Sequence, residues 1–264
     1  MWGMQLPVQS QSRIFVDEWE LSAGPPEVLA VAQAAENAGA FSVAVCDHVA
    51  IPNDLTATMG DVWYDTVATL GWLAGQTTSV HLLSHVAVLP YRHPLVTAKA
   101  WGTLDLLSGG RAVLGVGAGH VAKEFELLGH DFATRGRALD MAIDEVRATW
   151  ATESIHGAVV APGPARAGGP PIWVGGSSER ARRRAARRGD GWLPQGPPEG
   201  GMRAAIDSIR AERLRHHGEE LPIDIGGFCE PLHIGAPAGW LPPHTLAVGP
   251  DQMAERLAKF RRNG

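Results

Sequence analysis

The sequence predicts an α/β fold, a parallel sheet under a cover of helices. Strand-like and helix-like segments alternate along the whole chain, and apolar residues make up 45% of it. Its 264 residues also match the length that α/β barrels occupy as one unit, roughly 250 residues. Charged residues, at 19%, are too few for a disordered chain. The balance of 23 basic and 28 acidic groups, net −5, offers no global attraction for nucleic acid or an anionic membrane. The 2 cysteines, Cys46 and Cys229, make no disulfide framework. With no basic, apolar leader in MWGMQLPVQSQ and no run approaching the ~18–20 apolar residues of a membrane span, the expected location is cytoplasmic.

Each element has a local reason. Residues 3–8 read as a first strand. Pro25, Pro26 and Glu27 open a helix that Gly39 stops, the usual asymmetry of proline at the start and glycine at the end. The β-branched run 41–46 ends abruptly in Asp47 and His48. Residues 64–75 read as a helix, 80–89 as a longer strand bounded by Pro90, and 95–107 as a helix stopped by Ser108, Gly109 and Gly110. A strand over 111–116 runs into Gly117, Ala118 and Gly119. Over 136–150, Leu139, Ile143, Val146 and Trp150 recur at three- and four-residue steps, the signature of an amphipathic helix. The Ala/Gly/Pro-rich stretch 157–171 is the one candidate internal loop. Beyond it lie a strand at 172–174, a helix at 179–188, a strand at 191–193, a helix at 202–214, a strand at 223–228 and a final helix at 250–260. Seven strands and no eighth emerge, in a single domain spanning 1–264.

Several segments carry possible chemistry. Asp47 and His48 sit at the C-terminal end of a buried strand, where parallel α/β folds place reactive groups. Histidine is the natural proton donor or acceptor near neutrality, and the adjacent carboxylate can orient it; a capping aspartate and a loop histidine would look the same. The run 115–119 lacks the third glycine of a dinucleotide fingerprint, because His120 stands there. It remains either a backbone turn that lets a flat or anionic ligand approach or a tight strand-to-helix turn. Gly175, Gly176, Ser177 and Ser178 lie between a strand and a helix, where backbone amides and hydroxyls suit a phosphate. The six arginines at 180–188 read mostly as a solvated face, with Arg180 in the first turn near such an anion. His81 and His85 lie on a strand, where four residues span about 13 Å at ~3.3 Å per residue, too far apart to share a metal. No metal motif is present.

Three blocks, AENAGAFSVAVCDHVAIP, YRHPLVTAKAWGTLDLLSGGRAVLGVGAGHVAKEFELLG and PPIWVGGSSERARRRAARRGDGWLP, together resemble the luciferase-like monooxygenase superfamily, and specifically its branch using the deazaflavin coenzyme F420. The resemblance implies a TIM (β/α)₈ barrel with the cofactor ring at the C-terminal mouth of the strands. It places a backbone bulge, often with a non-prolyl cis peptide, at Ser84, His85 and Val86. It assigns the cofactor phosphate to Gly175 and Gly176, with Ser177 beside them. It sets the turn Gly117, Ala118, Gly119 and His120 against the ring, with Lys123 one helical turn later. Asp47 and His48 match a catalytic pair whose histidine faces the reactive ring edge. Sugar-phosphate dehydrogenase members carry glutamate at the position of His120 and asparagine at that of Lys123, so that branch's acid is missing here and sugar-phosphate oxidation is disfavoured.

The function this implies is hydride transfer between F420 and a small organic substrate. The alternatives are an FMN-dependent monooxygenase of the same fold and a non-catalytic F420-binding protein. A homodimer is expected, with no nucleic-acid or membrane partner. The stretches 53–61, 157–170 and 228–248 are the expected specificity loops. Relatives continue past the helix resembling DQMAERLAKFRRNG into a final strand, so the barrel's eighth strand is expected to be absent from this sequence.

Overall fold

The structure, a computed structural model, describes residues 1–13, 16–227, 232–234 and 246–249, together with 251, 252, 254, 255 and 258. Its centre is a parallel sheet built from β1 (Gly3–Gln5), β2 (Ser42–Val45), β3 (His81–Ser84), β4 (Ala87–Val88), β5 (Ala112–Gly117), β6 (Ile172–Gly175), β7 (Gly191–Leu193) and β8 (Asp224–Ile225). Neighbours run in the order β1-β2-β3-β5-β6-β7-β8, with β4 continuing along β5. This is the strand order of a (β/α) barrel. Among the described residues no strand joins β8 to β1, which is consistent with the expectation of no eighth strand in this sequence. Two short strands not anticipated from sequence, β9 (Leu232–Ile234) and β10 (Leu246–Val248), pair in parallel as a separate sheet.

The helices that cover the sheet follow the expected local rules. In α1 (Pro25–Asn37) the Glu27 carboxylate accepts from Gly24 N–H at 2.8 Å. The stop falls at Gly39, whose φ of +76° suits a residue without a Cβ. Asp65 caps α3 (Thr66–Ala74) by accepting from Ala68 N–H at 2.8 Å, after the short α2 (Thr56–Met59). The helix α4 (Pro94–Leu107) starts on proline. It is followed by α5 (Ala122–Leu127), α6 (Arg135–Ala151), α7 (Glu179–Arg188) and α8 (Gly201–His217). The helices α2 and α5, of 4 and 6 residues, are too short to show a period and were not visible in the sequence.

Strand alternation sorts the core into two layers. Val43, Leu82, Leu114, Val174 and Trp192 face the helices in the main core, whereas Ala44, Leu83, Val113, Trp173 and Leu193 fill the inside of the sheet.

Three expectations need correction. The first strand ends at Gln5, because the chain turns at Val8, whose φ is +68° and whose N–H is held by the buried Glu20 carboxylate at 2.7 Å. The loop at 157–170 leads from the end of α6 into the start of β6 and is therefore at the opposite end from the strands' C-terminal mouth. There Arg166 N–H donates to the buried Asp105 carboxylate at 3.0 Å, an anchoring role rather than a specificity loop. The arginine face of α7 is not simply solvated, since Arg184 and Arg188 reach Asp140 and Asp144 of α6 and Arg187 reaches Glu212 of α8. The expected loop at 228–248 and final helix at 250–260 lie largely outside the described residues.

Candidate active site

The exits of β2, β4, β5 and β6 converge at the C-terminal mouth. Asp47, its side chain 1% exposed, does not hold His48 as the sequence suggested. Both its oxygens are taken by Arg92, at 2.6 and 2.7 Å, and one also accepts from Val88 N–H at 2.8 Å. Asp47 is thus a clamp between the end of β2 and the segment after β3, and its catalytic assignment is replaced by a positioning one.

The carboxylate on His48 is Glu124, from α5. Its Oε2 lies 2.6 Å from His48 Nδ1 and accepts from the Tyr91 hydroxyl at 3.0 Å. Its Oε1 accepts from the N–H groups of Val49 and Ala50 at 2.8 and 3.1 Å. Burial alone would raise the Glu124 pKa, but the hydrogen bond from His48 and those from Ala50 and Val49 outweigh it and hold the carboxyl below its ordinary 4.5. The Tyr91 phenol is pushed far above its usual range, first by burial and then by the Glu124 charge, so it remains a donor.

Two aromatic rings border the histidine. The Trp63 ring meets His48 edge-on at 4.4 Å and is itself tied to Met59 O by its indole N–H. The His120 ring stands perpendicular at 5.5 Å. Burial, followed by the neighbouring His48, pushes the His120 imidazole below its ordinary value, and burial does the same to His85.

The break expected in the third strand is present at the expected place. After Ser84, whose hydroxyl donates to Gly115 O at 2.8 Å, a cis peptide joins His85 to Val86 and separates β3 from β4. The neighbouring glycines accommodate it. A Cβ at Gly117 would stand 2.5 Å from Val86 Cγ2, and one at Gly175 2.7 Å from Val86 Cγ1. Bare backbone at these two positions, on β5 and on β6 beyond it, is therefore a packing requirement. Gly119, with φ +79°, turns the chain against Val88 and Phe125, while Ala118 packs on the edge of the main core.

Two cofactor-binding assignments change. The Gly176 N–H donates to Leu193 O at 2.9 Å and its carbonyl accepts from the Trp192 indole at 2.8 Å, so this amide serves the β6–β7 connection rather than an anion. The Ser177 hydroxyl has its single proton directed at the carbonyls of Gln195 and Gly196, 3.0 and 2.8 Å away. Ser178 caps α7, and the donors that a helix start leaves unpaired are the first-turn amides at 179 and 180. Lys123 is half-exposed and paired with Glu126 at 2.6 Å; the next residue, Glu124, is the one that reaches inward.

Glu124, Tyr91, Arg92 and Trp63 were therefore missed from sequence. One signal existed for Glu124: with Val121 and Phe125 it forms a three- and four-residue buried stripe, where a carboxylate needs partners. Cys46 adjoins the site and its sulfur accepts from the Gln5 amide at 3.0 Å, but burial pushes its thiol up to about 11, which disfavours the thiolate.

A family model described as luciferase-like monooxygenase matches residues 4–230. The chain belongs to this family. Luciferase-like members are oxidoreductases and monooxygenases. An uncharacterised Mycobacterium tuberculosis protein is 32% identical over 217 residues, 74% of each chain. An FMNH2-dependent dimethylsulfone monooxygenase of Pseudomonas fluorescens is 27% identical over 177 residues, 62% of this chain and 48% of its own length. The luciferase-like fold is also that of an F420-dependent secondary alcohol dehydrogenase, solved with an F420-acetone adduct. That structure aligns with a TM-score of 0.66 at 18% identity, over 89% of this chain and 68% of that one.

Proposed function

We propose that this luciferase-like chain is an oxidoreductase that holds coenzyme F420 at the strand mouth and transfers hydride between it and a small organic molecule. The observation that carries the reading is the His48–Glu124 pair, a part-buried imidazole oriented by a carboxylate at the strand mouth. The residues fit a flat ring with a phosphate. Val86, its side chain seated against the bare backbone of Gly117 and Gly175, offers a ring an apolar contact, and the first-turn amides of α7 are anion donors. The cofactor supplies the hydride chemistry.

The protein's part is positioning and proton movement. With Nδ1 committed to Glu124, the His48 Nε2 is the ring nitrogen left to serve the substrate. In the oxidation direction it takes the proton of the substrate hydroxyl as hydride leaves carbon; in reduction it returns that proton to the carbonyl oxygen. Trp63 limits the motion of the imidazole and shields it from water.

The test is a fluorescence titration of the purified protein with F420 and, separately, with FMN. Micromolar or tighter binding of F420 is expected. His48→Ala should leave that affinity within a few-fold and slow turnover by about 10²–10⁴, the usual contribution of a general acid or base. Binding of neither cofactor would overturn the reading, F420 binding without turnover of any substrate would favour a non-catalytic binder, and turnover unaffected by His48→Ala would remove His48 from the chemistry. A second reading, an FMN-dependent monooxygenase, is favoured by the name of the Pseudomonas relative, and preference for FMN with substrate-dependent oxygen uptake would establish it.

A further inference from the structure

We infer that Glu124 is a positioning residue that fixes His48 as the Nδ1–H tautomer, so that Nε2 faces the reaction as a proton acceptor. This rests on the reading of His48 as the acid–base group. The inference follows from the donor inventory around one carboxylate. Two of the four groups on Glu124, the N–H groups of Val49 and Ala50, can only donate, and both go to Oε1. The Tyr91 hydroxyl donates to Oε2. The fourth contact, Nδ1 at 2.6 Å from Oε2, meets an oxygen with no proton to give, so Nδ1 must carry the hydrogen.

The same carboxylate binds the ring of His48 and the backbone of the two residues after it. On the other side, Asp47 is locked to Arg92 and Val88 N–H. Four consecutive residues are thus held through two carboxylates, and the imidazole's tautomer and orientation are set together. Among the described residues the ionisable groups facing His48 are Glu124 from α5 and His120 from the turn after β5; Tyr91, from the turn after β4, shares the Glu124 oxygen, and Asp47, the preceding residue, is paired with Arg92.

The arrangement makes an unusual demand on Glu124→Gln. Glutamine has one oxygen and one NH₂ where glutamate has two oxygens. The two backbone N–H donors require the oxygen, so the NH₂ turns to Nδ1 and to the Tyr91 oxygen; His48 must switch to the Nε2–H tautomer, and the Tyr91 hydroxyl must accept where it donated. The fold and the number of hydrogen bonds survive with both reversed, but the accepting nitrogen of the neutral ring is lost from the reactive side.

The experiment is a two-bond ¹⁵N–¹H correlation spectrum of the full chain carrying ¹⁵N-histidine, with His48 assigned by the signals missing from His48→Ala. The wild type should show Nδ1–H, Glu124→Gln should show Nε2–H with a melting temperature only a few degrees lower, and Tyr91→Phe should keep Nδ1–H. Neutral wild-type His48 found as Nε2–H, or a folded Glu124→Gln chain that retains Nδ1–H, overturns the inference. If Glu124→Gln does not fold, the wild-type and Tyr91→Phe spectra still decide the tautomer. Titrating the same wild-type sample with F420 and FMN separates the two readings, since failure to bind either leaves the tautomer result standing.

Discussion

Asp47 and Glu124 at the mouth, and the arginines of α7 on the outside, are all ion-pairing residues of one chain, yet their surroundings differ. The mouth carboxylates have side chains 1% and 0% exposed, and between them they accept seven hydrogen bonds. On α7, Arg183 and its partner Glu179 are 52% and 75% exposed. Water can replace a lost partner at the surface and does so only in part at the mouth. Equal charges therefore assemble the site in one region and in the other decorate an interface already made by Ala181, Ala185 and Ala186.

The contrast is sharpest at Glu124→Ala, the largest effect we expect. It leaves several buried donors without an acceptor, at about 1–3 kcal/mol for each that water does not reach, and so at least about 3 kcal/mol in all. At roughly 2–4 °C per kcal/mol for a chain of this size, calorimetry should show a fall of about 10 °C. Glu124→Gln keeps hydrogen bonds to both faces and should lose only the charge-assisted part, about 1–2 kcal/mol. That part has a definite pH dependence. The folded carboxyl titrates below its ordinary 4.5, so its contribution is complete above that value and is lost as pH falls through the lower folded pKa. The melting difference between wild type and Glu124→Gln should therefore be full at pH 7 and narrow below about 4.5; a pH-independent gap would show that charge is not what the site uses.

Asp47→Ala comes next. Arg92 loses a bidentate partner, but its side chain is 26% exposed and regains some hydration. The cost should fall short of the roughly 3–5 kcal/mol of a fully buried broken pair, at about 2–3 kcal/mol. Because Asp47 also holds Val88 N–H, cofactor affinity should drop alongside stability. Denaturant melts and the F420 titration on the same variant check both, and a stability loss with unchanged affinity would separate the clamp from cofactor binding.

What was legible in the sequence divides along the same line. The start of α1 at Pro25, its stop at Gly39 and the three- and four-residue repeat of α6 are local events, set by residues within one or two turns, and the chain order displays them. The break at 84–86 was legible through resemblance, and its glycine partners Gly117 and Gly175 stood in the motif without their reason being visible. The pairing of His48 with Glu124 joins positions 76 apart, and Asp47 with Arg92 positions 45 apart. Neither pairing is encoded by spacing. The adjacency of Asp47 and His48 suggested a partnership that strand geometry denies, since successive residues leaving a strand point to opposite sides.

The smallest expected effect tests the outer region. In Arg183→Ala the lost pair is an i, i+4 contact with glutamate N-terminal to arginine, the favourable orientation, worth about 0.3–0.5 kcal/mol. Melting should shift by no more than roughly 2 °C, and the shift should vanish near 1 M salt, where charges are screened beyond about 3 Å. Arg184→Ala is the matched comparison, because that side chain is 10% exposed, bonds Asp140 at 2.5 Å and also donates to Gly136 O at 3.0 Å. It should cost about 1–2 kcal/mol and retain most of that in salt. If the two variants proved equal, exposure would not be what ranks these pairs. The α7 arginines would then act as one cooperative network, and the distinction between the mouth and the outer layer would have to be drawn from connectivity instead of burial.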